Sequence, residues 1–251
     1  MEKRIKNCVL IGASSVIVHH VAREFARSGA SFLLIGRNQE KMQQVADDLI
    51  AYGASGAELA IAAMEDLLHW DLAKIREQTS RMGNVDLLLF GAGYLGEQVK
   101  AEVDDHEANA IIAANYTMPA LILGRWALLF AEQKDGLIAV ISSVAGERGR
   151  ALNYYYASAK SGMSVYLQGL RGRMYRYGVD VCDVRPGYVR TPMTIGLKTG
   201  SLLFADPTQA GIEIFNGIAA RRATVYAPWF WRWIMLIIRW IPETIFKRLR
   251  F

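Results

Sequence analysis

Apolar positions fall into short runs that alternate with segments of helical spacing along most of the chain. Ile5–Ile11 is an apolar run of strand length, and Val16–Ser28 repeats its apolar positions at the period of a helix. Ser31–Ile35 reads as a second strand and Glu40–Ala51 as an amphipathic helix. Glu58–Ala63 reads as a third strand, although its alanines suit a helix equally well. Leu72–Met82 has helical spacing, and Val85–Phe90 is a continuously apolar strand. Asp105–Ala131 reads as one long helix with a bend near Pro119, where a backbone N–H is missing. Leu137–Ile141 is a strand, Tyr155–Tyr177 a helix and Val179–Val184 another strand. This alternation predicts an α/β fold, a single Rossmann-like doubly wound parallel sheet with helices on both faces. No repeat, low-complexity tract or linker interrupts it.

The length of 251 residues suits one such unit, and 52% hydrophobic residues exclude a disordered chain. Cys8 and Cys182 both sit in apolar strand-like runs without metal-ligand spacing, which reads as buried thiols in a reducing compartment. The N-terminus is basic but has no apolar stretch with a cleavage site, so it is read as the first strand rather than a signal peptide, and a cytoplasmic location is expected. The net charge of +5 is unevenly placed. Residues 221–251 carry seven basic residues against one acid, a charge of +6, which leaves the first 220 residues at −1. The basic pI of 9.2 therefore belongs to the tail, and no nucleic-acid groove is expected on the body.

Candidate chemistry gathers where strands end. The first strand runs into Gly12-Ala13-Ser14-Ser15 and then a helix, and such a turn brings backbone N–H groups close to a phosphate. The dinucleotide fingerprint has three glycines, whereas here only Gly12 is present and Val16 and Val18 stand at the later two places, so a plain tight turn fits as well. The second strand ends Gly36-Arg37-Asn38. An acidic residue there would grip the ribose 2′-hydroxyl of NAD; Arg37 suits a 2′-phosphate and favours NADP(H), or is a solvated arginine at a helix start. Tyr156 and Lys160, four apart in a helix, share one face. An ammonium beside a phenol makes it a usable acid or base near neutral pH, although this spacing is common by chance. Context singles the pair out: Ser143 ends the preceding strand thirteen residues before Tyr156, Asn115 precedes Ser143 by twenty-eight, and Pro186-Gly187 closes the next strand with Thr191 shortly after.

The body is read as residues 1–227 and the tail as 228–251. Trp229–Ile241 has eleven apolar residues and two arginines in thirteen, and holds four of the six tryptophans. A bilayer span needs about 20 apolar residues, so the segment does not cross a membrane. Tryptophan with arginine around a short apolar helix is what an interfacial anchor requires, giving peripheral contact with the inner face of a membrane. The competing reading is a packing element in a dimer interface or over the body's own core.

Together the strand-end Ser143, the Tyr156/Lys160 spacing, the upstream Asn115 and Pro186-Gly187 resemble the short-chain dehydrogenase/reductase family over residues 1–220 or so. The resemblance implies that Tyr156 donates a proton in reduction, that Lys160 lowers its pKa and holds the nicotinamide ribose, that Ser143 bonds the substrate carbonyl, and that Asn115 supports a proton relay. It places Thr191 at the carboxamide, and Ser14, Ser15, Ile17, Asn38, Pro186, Gly187 and Val189 along the cofactor. Asp66-Leu67 corresponds to the adenine-contacting pair, with Asp71-Leu72 competing for that role. The usual Asn-Ala-Gly after the fourth strand reads Gly91-Ala92-Gly93, a departure beside the missing loop glycines. One branch is more similar still, the decaprenylphosphoryl-2-keto-pentose reductases, through residues 142–148, 93–96, 115–117 and the basic tail. That similarity implies a polyprenyl-phosphate-linked keto-sugar as substrate, a flavin-dependent oxidase as partner, and, with the family, a homo-oligomer. Reduction of another hydrophobic ketone, such as a 3-oxoacyl or steroid-like molecule, is the second reading, and a non-catalytic NADP-binding protein the third.

Overall fold

A computed structural model describes residues 4–194 and 203–249. Its strands are β1 (Asn7–Ile11), β2 (Ser31–Gly36), β3 (Gly56–Ile61), β4 (Leu87–Phe90), β5 (Leu137–Ile141), β6 (Asp180–Pro186), β7 (Tyr188–Val189), β8 (Phe204–Ala205) and β9 (Thr224–Ala227). Seven of them form one parallel sheet in the order β3-β2-β1-β4-β5-β6-β9, while β7 and β8 pair separately. The chain winds outward from β1 to β3, then returns to the other side of β1 at β4. The crevice beyond the carboxyl ends of β1 and β4 is therefore the topological switch point, where open α/β sheets take their ligands.

The inner strands β1, β2, β4, β5 and β6 are buried on both faces, so their successive side chains feed two separate cores. Cys8, Leu10, Phe32 and Leu34 point toward one core, which the helices α1 (Val16–Arg27) and α2 (Gln39–Ala51) close with Val21, Phe25 and Leu49. Val9, Ile11, Leu33 and Ile35 point toward the other. There, after the short helices α3 (Met64–Leu67), α4 (Leu72–Thr79), α5 (Gln98–Ala101) and α6 (Asp105–Ile112), the long helices α7 (Met118–Gln133) and α8 (Tyr154–Tyr175) supply Trp126, Phe130, Met163 and Leu167. Both cysteines are buried free thiols, and burial pushes each well above its ordinary pKa, to about 12 for Cys182.

The structure differs from the pattern-based expectation at the third strand and the long helix, and adds detail at α9, β9 and the tail. The third strand lies at residues 56–61, two residues earlier than its pattern indicated, because Ala60 alone among its residues is buried and apolar alternation marks the edge strand poorly. The long helix is interrupted by a π-turn at Ala113–Thr117. Pro119 sits in the first turn of α7, so no N–H four residues ahead can reach the Asn115 carbonyl, and the break falls just before the proline. The helix α9 (Pro207–Ala219) and β9 carry no expectation in the sequence reading; Asp206 caps α9, whose Ile214 and Ile218 complete the first core. The tail folds as α10 (Trp231–Trp240) and α11 (Glu243–Phe246), and α10 packs Trp231 and Met235 against Val144 of the body.

Candidate active site

Parallel pairing sets the strand ends level: Ile11 lies opposite both Ile35 and Phe90, and Ile141 opposite Val184. The residues that follow them line one cleft of about 1010 Å³.

At the β1 end, Gly12 has a φ of +78°, and a Cβ there would lie 2.6 Å from the Ala92 nitrogen. Only glycine fits such a turn. Ser15 caps α1 with extended backbone but no side-chain bond to the first-turn N–H groups. Ser14, Ser15 and Ile17 line the cleft here, a place suited to the phosphates of a dinucleotide. The two departures from the family pattern explain one another. Val18, at the third-glycine position, is fully buried, and a Cβ on residue 91 would lie 2.1 Å from its Cγ2. The valine fills the space, and Gly91 leaves room for it.

At the β2 end, Arg37 is exposed and lines the cleft, joined by Lys41. Lys41 was not singled out from the sequence, although it lies four residues after Arg37, in the first turn of α2. Asn38 does not line the cleft; its side chain caps α2 by accepting from the Lys41 N–H at 2.8 Å. At the β3 end, Leu67 lines the cleft with Ala62, Ala63 and Met64, but Asp66 does not. The Asp66 carboxylate turns back to accept from the Ala63 N–H at 2.8 Å. Asp71 likewise caps α4 through the Lys74 N–H. Both carboxylates are thus engaged by backbone N–H groups, and the acid that lines the cleft beyond β3 is Glu65.

Beyond β4, Gly91, Ala92 and Gly93 continue the cleft wall. Asn115, only 1% exposed in the π-turn, donates to the Tyr94 carbonyl at 2.5 Å and to the Ile111 carbonyl at 2.8 Å. The Tyr94 hydroxyl donates to Glu107, which also accepts from the Glu97 N–H and Lys100. Asn115 thus holds the 91–97 loop in place.

Ser143, Tyr156 and Lys160 meet in the cleft beyond β5. Ser142 is buried and bonds the Asp183 carboxylate, which pairs with Arg185 at 2.8 Å, so this serine ties β5 to β6. Ser143 faces the cleft, accepts from the Ala145 N–H at 3.1 Å and hydrogen-bonds Tyr156. One helical turn on, the Lys160 ammonium lies 5.6 Å from the Tyr156 ring centre and donates to the Ile141 carbonyl at 3.0 Å. Burial pushes the Tyr156 phenol up to about 12, against the pull of Ser143. Burial pushes Lys160 down to about 8, against the pull of Asp183. Burial therefore outweighs the expected lowering of the phenol, which stays protonated through neutral pH, the form a proton donor needs.

Pro186, Gly187, Val189 and Thr191 close the cleft beyond β6. Thr194 bonds the Val189 and Thr191 carbonyls and steadies that turn. Residues 195–202, which follow this turn, lie outside the described residues. Arg150, Asn153 and Tyr188 line the cleft and were missed in the sequence. Arg150 is buried, with its guanidinium 3.3 Å from the Tyr188 hydroxyl. The signal for it was positional, since the segment joining Ser143 to Tyr156 must bridge the cleft mouth.

Residues 6–201 match the short chain dehydrogenase family. An uncharacterized oxidoreductase of Mycobacterium tuberculosis is 30% identical over 242 residues, 96% of each chain. Another, from the mprA 5′ region of Streptomyces coelicolor, is 31% identical over 248 residues, covering 97% of this chain and 96% of its own. Among solved structures, a variant actinorhodin polyketide ketoreductase with NADPH superposes with a TM-score of 0.77 at 20% identity, over 92% of this chain and 99% of its own. The site groups, the sheet order and these matches agree: the chain belongs to the short-chain dehydrogenase/reductase family of oxidoreductases.

Proposed function

We propose that the chain is an NADP(H)-dependent reductase that turns a ketone into an alcohol, acting on a hydrophobic substrate with an anionic group, a polyprenyl-phosphate-linked keto-sugar being its most specific form. One observation carries the reading. A single cleft joins Arg37 and Lys41 at one end to Ser143, Tyr156 and Lys160 at the other. The glycine turn at residue 12, the uncapped start of α1 and the two cations fit a dinucleotide bearing a 2′-phosphate. A nicotinamide held there by these residues would supply the hydride that reduction of a carbonyl carbon requires. The Ser143 and Tyr156 hydroxyls hold the carbonyl oxygen, and Tyr156 passes its proton to the developing alkoxide. The Lys160 ammonium then stabilises the phenolate left behind.

Two features support the substrate class. Leu95, Met118 and Val144 give the cleft an apolar wall, and Arg150 with Tyr188 places a cation and a hydroxyl beside it. The wall suits a hydrophobic ketone of any kind, whereas Arg150 suits one with a phosphate. The test is NADPH oxidation with wild type and Arg150→Met on two ketones, one prenyl-phosphate-linked and one neutral. Loss at least ~10-fold greater on the phosphate-bearing ketone, the scale of a hydrogen bond to a charged group, supports the reading. Equal activity of wild type and Arg150→Met on both leaves only the broader hydrophobic-ketone reading, and absence of NADPH oxidation with any ketone overturns the proposal.

A further inference from the structure

We propose that the outward face of α10 is a docking surface for an anionic lipid bilayer. The helix carries two apolar stripes, each at the i, i+3, i+4, i+7 spacing of one helical face. The inner stripe is Trp231, Ile234, Met235 and Ile238, buried or half-buried against Val144, Tyr188 and Tyr226. The outer stripe is Trp233, Leu236, Ile237 and Trp240, exposed by 55, 45, 68 and 82%. The inner stripe accounts for packing on the body; the outer one has no role in the fold.

The outer stripe is held rigidly in its orientation. Trp231 lies on Gly187, where a Cβ would be 1.9 Å from the indole nitrogen. Arg148 donates to the Arg239 and Ile241 carbonyls at 3.2 Å, pairs with Glu243 at 2.6 Å and stacks on Phe246. Docking would therefore require little further ordering of the chain.

Charge identifies the occupant. Arg232, Lys247 and Arg248 are exposed on this segment without a carboxylate partner among the described residues, and the segment's own acid, Glu243, is engaged by Arg148. A second copy meeting this stripe across a two-fold axis would set these cations against their counterparts. Anionic headgroups complement them, with tryptophan at the depth where such rings reside. No described helix is long and apolar enough to cross a membrane, and ten residues of helix reach only about 15 Å, so α10 would lie in the interface plane. Val144 and Tyr188, on which α10 packs, also line the cleft. A bilayer on the outer stripe would thus lie beside the cleft wall; that consequence, though not the docking, rests on the lipid-linked reading above.

The test is flotation of the full chain with vesicles of phosphatidylcholine and phosphatidylglycerol in equal parts, with phosphatidylcholine alone, and at raised salt. The protein is expected to float with the anionic vesicles at low salt, and binding to fall at least ~10-fold in either other condition. Trp233→Ser/Ile237→Ser/Trp240→Ser is expected to abolish flotation while keeping the NADPH-induced rise in Tm, which shows that the body is folded. A full chain that stays at the bottom of the gradient at low salt overturns the proposal. So does a dimer in sedimentation velocity that the same substitutions dissociate, because a second copy then covers the stripe. Turnover of a short water-soluble ketone by the same variants reads the reductase separately, so loss of docking and loss of chemistry are distinguishable.

Discussion

At the scale of single residues, the site's behaviour follows from burial. Tyr156, pushed up to about 12, remains protonated across the working range, whereas Lys160, pushed down to about 8, loses its charge within it. The ammonium is the form that stabilises the phenolate, and Asp183 is the charged group that acts on it, holding its proton more firmly. The ketone-reduction rate is therefore expected to be level below pH 8 and to fall along a single-proton limb above it. A rate that stays constant through pH 9.5 would separate Lys160 from the chemistry. Tyr156→Phe removes one hydroxyl and is expected to lower turnover by at least ~10²-fold while NADPH still binds, as measured by fluorescence titration. Near-normal turnover in that variant would rule Tyr156 out as donor. At the other end of the cleft, Arg37→Ala is expected to weaken NADPH by about 1.5–3 kcal/mol and to leave NADH affinity nearly unchanged. Equal NADPH affinity in the two proteins would show that Arg37 does not read a 2′-phosphate.

At the scale of elements, the loop after β1 and the segment after β4 act as a pair. Val18 occupies volume that a Cβ on residue 91 would need, at a separation of 2.1 Å. Gly91→Ala is expected to cost about 1–3 kcal/mol, the usual penalty of overpacking, and to lower Tm. Adding Val18→Ala should recover most of that loss, so a thermal double-mutant cycle should give a strong coupling between the sites. Additive effects would mean that the two positions relax independently. The π-turn is a second case of elements acting together. Pro119 breaks the helix ladder, and Asn115 uses the break to hold the Tyr94 backbone at two points, its carbonyl at 2.5 Å and its N–H at 3.4 Å.

At the scale of the molecule, the cleft spans the carboxyl ends of β1 to β6, so a bound dinucleotide would touch most of the sheet. Ligand that binds only the folded state stabilises by about 2.7 kcal/mol at a hundred times its Kd. For a chain of this size that corresponds to a Tm rise of roughly 5–10 °C. NADPH is expected to produce it at lower concentration than NADH, as read by differential scanning fluorimetry. Equal midpoints with the two cofactors would weaken the assignment of Arg37 and Lys41 to a phosphate.

How much of this was legible in the sequence divides by the range of the forces involved. Strand–helix alternation, the four-residue spacing of Tyr156 and Lys160, and the strand-end serine are local patterns, so periodicity and motif make them legible. Asp66 and Asn38 stand near strand ends, and their place in the chain does not show where their side chains go. Only the fold shows that Asp66 turns back to Ala63 and that Asn38 caps the helix beginning at Gln39. Lys41, Arg150 and Tyr188 carry no motif, and reach the cleft because distant segments close over it. The coupling of Val18 to Gly91 joins positions seventy-three residues apart in the chain and could not be read from either. Local pattern determined the architecture and the shared helix face of Tyr156 and Lys160, because hydrophobic period and helix geometry act over a few residues. Tertiary packing decided which polar groups face the cleft and which apolar stripe of α10 stays outside, because burial is a property of the assembled chain.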